Sequence, residues 1–386
     1  MSPNLSEPGP ESFFASSPRG LEATLADELG ALGARNVKVA AGGVAFGGSW
    51  ETCYLANFHS RIASRILWRL GSFDYATEED IYLAARSVSW RHLFGVDRSI
   101  RVNLTAIKSP LKSLDFATLR IKDAVCDRFR DETGLRPNVE RLAPDVRIHC
   151  FLEQAAGTLY LDTSGEPLFK RGWRHAAVEA PLRENLAAGI IKLTGWKADE
   201  PLFDPMCGGG TFLVEAAAIA LNEPPGAGRS FGFEKLATFN LKAWNRVRDG
   251  RPPRNKIRPA LFGSDIEQRA VASAKKNLMA AGFFDLVKLQ RADILKVEAP
   301  ASSGVMVANP PYGERLSDAD QLAAFYPQLG NALKQRFAGW RCNFLTSDLR
   351  MAKLIRLSPS RRVPLFNGAL ECRLFEFVVV AGSNRK

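Results

Sequence analysis

Apolar residues recur along the first fifty positions at spacings that predict a small β-α-β-β unit. One helical face carries the leucines Leu21, Leu25, Leu29 and Leu32. Gly33 ends this helix, and the β-branched or aromatic runs at 13–15, 37–39 and 43–46 predict three strands.

Residues 51–67 are predicted to form a second helix of this unit. This helix is predicted to carry three arginines at a spacing of four: Arg61, Arg65 and Arg69. Such a row is either a solvent-exposed face or a surface that contacts phosphate groups. Residues 1–12, rich in Pro, Ser, Glu and Gly, are predicted to be a disordered lead-in.

Residues 80–162 have a different pattern, which predicts a compact α+β module. Alternation at 100–106 predicts a strand, and residues 147–152 and 158–162 predict a strand pair. The helix between them is predicted to bury Leu119, Val125 and Phe129 and to expose Arg120, Lys122, Arg128 and Arg130. These cations either contact phosphates or form an ordinary solvated face.

The following stretch 169–175 (FKRGWRH) interleaves basic and aromatic residues, which either contact RNA or pack as a linker.

From residue 201 onward, short apolar runs repeatedly end in polar side chains, which predicts parallel strands that deliver these groups to one sheet edge. The polar residues at or after the strand ends are Asp204, Asp265, Asp293 and Asn309. Ligands bind at this edge in open α/β sheets. A further parallel strand at 344–348 and a hairpin turn at Asn367 and Gly368 complete the predicted sheet.

The composition narrows the class of protein. A formal net charge of +11 and a sequence pI near 9.5 favour a polyanionic partner such as nucleic acid, although some cytosolic proteins are simply basic. Six scattered cysteines and four histidines without metal spacing indicate reduced thiols and no metal site. No apolar run approaches the roughly 20 residues of a membrane helix. The N-terminus also lacks a secretory leader pattern, so a cytoplasmic location is expected.

The stretch from Asp204 to Gly210 (DPMCGGG), followed by a helix, predicts a glycine-rich turn that binds a cofactor. A dinucleotide site would need a third glycine where Leu213 stands, and an acid about 20 residues beyond the motif. The next strand-ending acid, Asp265, lies much farther along the chain. S-adenosylmethionine fits better, because it lacks a pyrophosphate and offers an aminoacyl end, ribose hydroxyls and an adenine amine to successive carboxylates.

The chemistry is expected at Asn309, Pro310, Pro311 and Tyr312, which follow the apolar run 304–308. Proline fixes the turn, and an Asn and a Tyr are thereby held at a strand end. In isolation such a tetrapeptide would be interpreted as a surface turn, but here it follows three other polar strand ends.

Together these motifs resemble motifs I to IV of the class I, Rossmann-like amino-methyltransferases of the N-P-P-Y group. Residues 13–70 resemble the ferredoxin-like domain, and residues 80–162 the THUMP domain, that precede the catalytic domain in RNA methyltransferases. The segments 309–316 (NPPYGERL) and 366–375 (FNGALECRLF) resemble the RlmL type, the 23S rRNA guanine-N2 methyltransferases. One departure is Gly209, where the family usually has Ser.

The resemblance implies an α/β fold: a Rossmann-like class I methyltransferase domain with a mostly parallel sheet and an antiparallel C-terminal hairpin, preceded by α+β ferredoxin-like and THUMP modules. The expected boundaries are a lead-in at 1–12, the ferredoxin-like domain at 13–75, THUMP at 76–165 and the methyltransferase domain at 166–386. Residues 222–258 are expected to be an exposed excursion that closes over substrate, or a decorative loop.

The implied activity is methyl transfer from S-adenosylmethionine to the N2 amine of a guanine in 23S rRNA. A second, fused methyltransferase domain of some relatives does not follow in this sequence, so one methylation is expected. The resemblance assigns catalysis to Asn309, Pro310, Pro311 and Tyr312. It assigns cofactor binding to Asp204, Pro205, Gly208, Gly210, Asp265, Ile266, Asp293, Ile294 and Asn309.

Two alternatives stay open. A tRNA guanine-N2 methyltransferase would share both the THUMP-like region and the N-P-P-Y motif. From another class, the chain could be an RNA-binding ribosome-assembly factor with little catalysis. DNA adenine and protein glutamine methyltransferases share the N-P-P-Y motif alone, and the THUMP-like region argues against them.

Overall fold

The computed structural model of the chain describes residues 12–174, 182–251, 253–256, 259–310 and 316–380, with side chains from residue 323 onward in the last segment. The chain divides into two compact units, and each has its own seven-stranded sheet. In the described residues, unit 1 comprises 12–17, Leu25–Leu168 and Gly228–Arg251, and unit 2 comprises Pro18–Thr24, Phe169–Ala227 and residues from 253 onward.

The elements are numbered in chain order. The strands are β1 (Ser12–Ser16), β2 (Arg35–Ala40), β3 (Gly43–Gly47), β4 (Arg65–Asp74), β5 (Ile100–Ile107), β6 (Val146–Glu153), β7 (Ala156–Asp162), β8 (Leu202–Asp204), β9 (Leu261–Asp265), β10 (Val287–Arg291), β11 (Gly304–Ala308), β12 (Trp340–Thr346), β13 (Arg361–Asn367) and β14 (Leu370–Val378). The α-helices are α1 (Glu22–Ala31), α2 (Trp50–His59), α3 (Glu78–Ser87), α4 (Leu114–Thr133), α5 (Glu184–Leu193), α6 (Thr211–Ala220), α7 (Leu241–Asp249), α8 (Gln268–Ala281), α9 (Leu316–Arg336) and α10 (Met351–Leu354).

Unit 1 is built on a sheet in the order β2-β3-β1-β4-β7-β6-β5, in which β5 and β6 run parallel and the other neighbours antiparallel. The predicted β-α-β-β unit is present as β1, α1, β2 and β3. Strands β4 and β7 pair from Leu67 opposite Asp162 to Asp74 opposite Ala156. This pairing joins the two predicted N-terminal modules into one continuous sheet.

The predicted helix over residues 51–67 is wrong beyond its first half. Helix α2 ends at His59, and the next residue, Ser60, is extended. The Ser60 hydroxyl donates to the Glu28 carboxylate at 2.6 Å, which holds the turn after the helix. Arg65 therefore begins strand β4, which pairs with β1 and β7 although the arginines recur at the spacing of a helix. Arg65 also forms an ion pair with the buried Asp162.

One predicted core position of α4 is also wrong. Leu119 is 51% exposed, whereas Val125 and Phe129 are buried as expected. The buried stripe passes through Ala117 and Ile121, and a residue two positions from each of these points to the other side of the helix. The basic residues of α4 lie against acids: Arg120 with Glu79, Lys122 with Asp123, Arg128 with Glu132 and Arg130 with Asp127.

Unit 2 is built on a sheet in the order β10-β9-β8-β11-β12-β14-β13. The first five strands in this order run parallel, and β14 is antiparallel to both β12 and β13. The hairpin turn predicted at Asn367 and Gly368 is present, with Gly368 at φ 66°. The predicted mostly parallel sheet with an antiparallel C-terminal hairpin is confirmed.

Most of the predicted excursion 222–258 belongs to the core of unit 1. Gly228–Arg251 joins that unit, and Trp244 packs its ring 5.4 Å from Phe58 and 5.5 Å from Phe231, measured between ring centroids. Phe233 lies 4.5 Å from Tyr54, whose hydroxyl accepts a hydrogen bond of 3.0 Å from the Asn240 N–H. The expectation of an exposed excursion is wrong for this segment, because its aromatic residues are buried in unit 1.

All six cysteines are buried, and no disulfide joins them. Across the described ranges, no helix combines the length and the apolar content that crossing a membrane requires.

Candidate active site

The sheet of unit 2 brings the predicted polar strand ends to one edge. Strand β8 lies between β9 and β11, with Asp204 opposite Gly263 and Phe203 opposite Met306. Because these strands are parallel neighbours, the chain segments that begin with Asp204, Asp265 and Asn309 all leave the sheet at its carboxyl edge. This is the edge at which open α/β sheets bind ligands.

The turn between β8 and α6 depends on glycine at two positions. Gly208 has φ 51° and Gly210 has φ 78°, a region that other residues rarely adopt. A Cβ atom at Gly210 would lie 3.1 Å from the Cβ of Ala274 in α8, whereas one at Gly208 would enter open space. Gly210 therefore permits α6 and α8 to pack closely, and Gly208 leaves room above the turn.

Asp265 supports this turn from the neighbouring strand. Its Oδ2 accepts a hydrogen bond of 3.0 Å from the Gly208 N–H, and its Oδ1 accepts one of 3.0 Å from the Glu267 N–H. Each carboxylate oxygen can accept a second hydrogen bond. The next residue, Ile266, is 55% exposed and places an apolar surface beside the carboxylate. A carboxylate next to an exposed apolar side chain suits a ribose that carries an adenine ring.

Asp204 is almost fully buried, and its Oδ1 accepts a hydrogen bond of 3.2 Å from the Met206 N–H. Burial raises the pKa of this carboxyl well above its ordinary value, and the charge of Asp265 adds to the shift. The hydrogen bond from Met206 opposes them and does not cancel them. A ligand with a positive charge next to Asp204 would favour the ionised form again.

Asp293 and Ile294 have different surroundings. The Oδ1 of Asp293 accepts a hydrogen bond of 2.9 Å from the Leu295 N–H, and its side chain is half-buried. The Ile294 side chain is buried and belongs to the same hydrophobic core cluster as Met306, so it is enclosed by protein and does not line the open edge. If Ile294 contributes to a cofactor site, it does so through its backbone.

Asn309 and Pro310 directly follow β11, and the predicted catalytic tetrapeptide is described only to this point. Asn309 is half-buried and Pro310 is buried. Strand β11 ends with Ala308 opposite Phe344 of β12, so Asn309 leaves the sheet beside the end of β12. Pro311 and Tyr312 lie outside the described residues.

Pro205, in the turn after β8, is buried, and its carbonyl accepts a hydrogen bond of 3.4 Å from the Ser264 hydroxyl.

Asn277 supports the site and was not predicted from the sequence. Its side-chain amide in α8 donates a hydrogen bond of 2.9 Å to the Gly209 carbonyl, and the residue is fully buried. The available signal was its position among Ala274 and Leu278, because a polar residue on the apolar face of a helix needs a buried partner.

The basic aromatic stretch 169–175 packs within unit 2 as far as it is described. The Arg171 side chain is buried with its Nε 3.5 Å from Glu215, and Trp173 is buried. Arg174 donates to Glu184 at 3.0 Å and to the hydroxyl of Thr211, the first residue of α6, at 3.2 Å. These contacts favour the linker-packing alternative over RNA contact, and His175 lies outside the described residues.

In the part of the chain that the structure describes, no three His, Cys, Asp or Glu side chains form a group that could hold a metal ion.

Three family models match successive parts of the chain. Residues 12–67 match the RlmL ferredoxin-like domain, residues 75–162 the THUMP domain, and residues 171–376 the RMKL-like methyltransferase domain. The last match alone covers more than half of the chain.

Similar proteins agree with these matches. The chain is 38% identical over 381 residues to the ribosomal RNA large subunit methyltransferase K/L of Shewanella pealeana, covering 97% of this chain and 54% of that protein. The chain thus spans about half the length of the curated relatives it matches. SMU.472, solved in complex with SAH, aligns with a TM-score of 0.87 at 31% identity over 96% of this chain and 98% of its own.

A structure from Listeria monocytogenes, described as a predicted N6-adenine-specific DNA methylase, aligns with a TM-score of 0.86 at 29% identity over 96% of each chain. The three matched domains and these full-length alignments show that the chain belongs to the RMKL-like methyltransferase family, with ferredoxin-like and THUMP domains preceding its methyltransferase domain.

Proposed function

We propose that the chain transfers a methyl group from S-adenosylmethionine to the exocyclic N2 amine of a guanine in 23S rRNA. The observation that carries this proposal is the meeting of Asp204, the Gly208 turn, Asp265 and Asn309 at one sheet edge of an RMKL-like methyltransferase domain. Relatives with the name ribosomal RNA large subunit methyltransferase K/L support the choice of substrate.

The cofactor would be held by the turn and the two strands beside it. Asp204 would meet the cationic aminoacyl end, since its buried carboxyl gains most from a positive neighbour. Asp265 would accept from the ribose hydroxyls while Ile266 covers one side of the adenine ring. Asp293 would accept from the adenine amine. Bound S-adenosylmethionine supplies an electrophilic methyl group.

The acceptor amine would be oriented by the residues after β11. A guanine N2 amine is a weak nucleophile, because its lone pair is delocalised into the ring. The Asn309 side-chain oxygen and the Pro310 carbonyl would accept its two N–H bonds, which aims the lone pair at the methyl carbon and stabilises the developing positive charge. Pro311 and Tyr312 would complete the pocket, with Tyr312 stacked on a base that has left its helix.

Two observations support RNA as the substrate class. The THUMP match at 75–162 and the net charge of +11 both favour RNA.

The proposed boundaries are 13–75 for the ferredoxin-like domain, 76–165 for THUMP and 166–386 for the methyltransferase domain. Because the substrate is ribosomal RNA, we also propose a cytoplasmic location.

The test is mass spectrometry of nucleosides after purified protein and labelled S-adenosylmethionine are incubated with 23S rRNA and tRNA from a strain that lacks the gene. Label as N2-methylguanosine in 23S rRNA is the expected result. Label in tRNA would instead establish a tRNA methyltransferase, and RNA binding without label would leave an RNA-binding assembly factor.

A further inference from the structure

A short basic segment follows strand β12 next to the proposed acceptor site. Since Ala308 pairs with Phe344 in parallel register, Asn309 leaves β11 at the level of the last residues of β12. The chain then turns at Asp348, whose N–H donates to the Thr346 hydroxyl at 3.0 Å. Residues 349–360 (LRMAKLIRLSPS) contain three cations and no acid.

Asp348 holds the first of these cations in a defined orientation. Its Oδ1 lies 2.9 Å from the Arg350 Nε and its Oδ2 lies 2.9 Å from an Arg350 terminal nitrogen, and its Oδ1 also accepts from the Arg350 backbone N–H at 3.0 Å. Arg350 is the main cause of a lowered pKa of the Asp348 carboxyl, which is therefore ionised at neutral pH. The Arg350 side chain is still 53% exposed, so much of it remains accessible to solvent.

Lys353 and Arg356 follow Arg350 at intervals of three residues, and both are exposed. The Lys353 and Leu354 N–H groups both donate to the Arg350 carbonyl at 2.9 Å, so these residues form a helical turn. Residues three apart on such a turn are neighbours at its surface. Arg350 and Lys353 thus form a strip beside the carboxyl edge of the sheet, where Asn309 leaves β11. Arg356 lies beyond this helical turn, with φ 56°.

The strip is mounted on a rigid part of unit 2. Met351 and Ile355 are fully buried in the core between the exposed cations. Helix α9 has Gly330 against this segment, where a Cβ would lie 1.9 Å from the Ile355 carbonyl oxygen. Such a close approach leaves the turn no room to shift toward α9.

We propose that Arg350, positioned by Asp348, binds a phosphate of the RNA strand beside the target guanine, and that Lys353 binds the phosphate that follows. This inference rests on the proposed function. A base that leaves its helix to reach Asn309 must be held by its own backbone, and phosphate contacts position a strand without reading its sequence. An arginine that a carboxylate already orients loses less freedom when it binds a phosphate.

The test compares Arg350→Ala with Arg336→Ala, using a 23S rRNA transcript at several KCl concentrations. Arg336 is a matched control, because it also lies against an acid, Glu298 at 3.1 Å, but in the last turn of α9 just before β12 begins. Arg350→Ala is expected to raise the RNA Kd roughly tenfold or more and to reduce the slope of log Kd against log salt by about 0.7. Arg336→Ala should change neither, and cofactor binding should be unchanged in both.

Two further variants separate charge from orientation. Arg350→Lys should restore the salt slope but only part of the affinity, since an ammonium keeps the charge and loses the planar fork. Lys353→Ala should lower the slope again by about 0.7, because it removes a separate phosphate contact.

The proposal is overturned if Arg350→Ala matches Arg336→Ala in both Kd and salt slope while cofactor binding shows that the variant is folded. Failure of the proposed function gives a different result from failure of this inference. A wild-type chain that does not methylate 23S rRNA but binds it with an Arg350-dependent salt slope would support the phosphate contact and contradict the proposed activity.

Discussion

The Oδ2 of Asp265 accepts a hydrogen bond of 3.0 Å from the backbone N–H of Gly208. This contact joins the end of β9 to the glycine-rich turn after β8, so that one carboxylate fixes the turn and faces the proposed ribose position. The two halves of the proposed cofactor site are therefore coupled, and a change at Asp265 affects both.

Asp265→Ala is expected to weaken S-adenosylmethionine binding by roughly 1 to 3 kcal/mol, the usual cost of losing a charged hydrogen-bond acceptor. Part of this loss comes from the Gly208 N–H, which loses its acceptor. Isothermal titration calorimetry measures the change. Glu267→Ala is the control, since Glu267 is an exposed carboxylate two residues away and should change binding by less than about 0.5 kcal/mol. An unchanged Kd in Asp265→Ala would mean that the ribose binds elsewhere.

Asn309→Ala is expected to abolish methyl transfer and leave cofactor binding nearly intact, because the proposed acceptor oxygen serves the substrate. Single-turnover transfer to 23S rRNA and calorimetry with S-adenosylmethionine measure the two effects separately. Asn343→Ala is an instructive comparison, since Asn343 is a buried amide whose side chain donates to the Met306 carbonyl at 3.3 Å in the sheet. That variant should lose stability and keep turnover in the folded fraction. Loss of cofactor affinity in Asn309→Ala would contradict the role as acceptor for the substrate amine and would support the cofactor-binding role that the resemblance also implies.

Asp204 should make cofactor binding depend on pH. Its pKa is raised in the folded protein by burial, and the ionised form is the one that attracts a cationic ligand. Affinity for S-adenosylmethionine should therefore fall as the pH falls through the raised pKa, by up to about tenfold per pH unit. Asp204→Asn should bind weakly with a flat profile in calorimetry from pH 5 to 9. A pH-dependent profile that persists in this variant would assign the effect to another group.

The same carboxyl should destabilise the cofactor-free protein as the pH rises. The unfolded chain loses this proton near the ordinary pKa, whereas the folded chain retains it to a higher pH, so the free energy of unfolding declines between the two values. Each pKa unit between them corresponds to about 1.4 kcal/mol. In Asp204→Asn, the amides of strands β11 and β12 in unit 2 should therefore be better protected from hydrogen exchange than in wild type at neutral pH without cofactor, and the difference should vanish in acid. Equal protection at neutral pH would contradict a raised pKa.

Much of unit 2 was predictable because its signals are local. Each of Asp204, Asp265 and Asn309 directly ends or follows a short apolar run, and parallel strands place such ends at one edge without further information. The glycine turn was equally visible, because positive φ at Gly208 and Gly210 requires the residue type that the sequence shows. What the sequence lacked was the partner of each group, such as the Asn277 amide under Gly209.

The errors in unit 1 come from contacts between distant residues. Arg65 has helical spacing with its neighbours, but β4 gains ladder hydrogen bonds from β1 and from β7, about a hundred residues later. Similarly, the Pro, Gly and Arg content of 222–258 indicated exposure, while the aromatic residues Phe233 and Trp244 both pack against Tyr54, far back along the chain. Local patterns cannot supply partners at such separations.

Trp244→Ala should destabilise unit 1 by roughly 3 to 5 kcal/mol, the usual cost of removing a large buried aromatic side chain. Trp244 is buried among Phe58, Phe231 and Phe233, although its helix α7 lies in a segment inserted between two parts of unit 2. Hydrogen exchange of the β4 amides reports on unit 1 specifically, because a two-unit chain has no single unfolding transition.

Leu241→Ala is the matched control, three residues away in the same helix. Its side chain is 58% exposed, so its loss should change the β4 exchange by less than about 0.5 kcal/mol. If Trp244→Ala left β4 protection as high as Leu241→Ala does, the segment 228–251 would be an appendage and not part of the core of unit 1. If protection falls only in Trp244→Ala, an insertion in the methyltransferase sequence helps to hold the N-terminal sheet together, and variants of this insertion will act through unit 1.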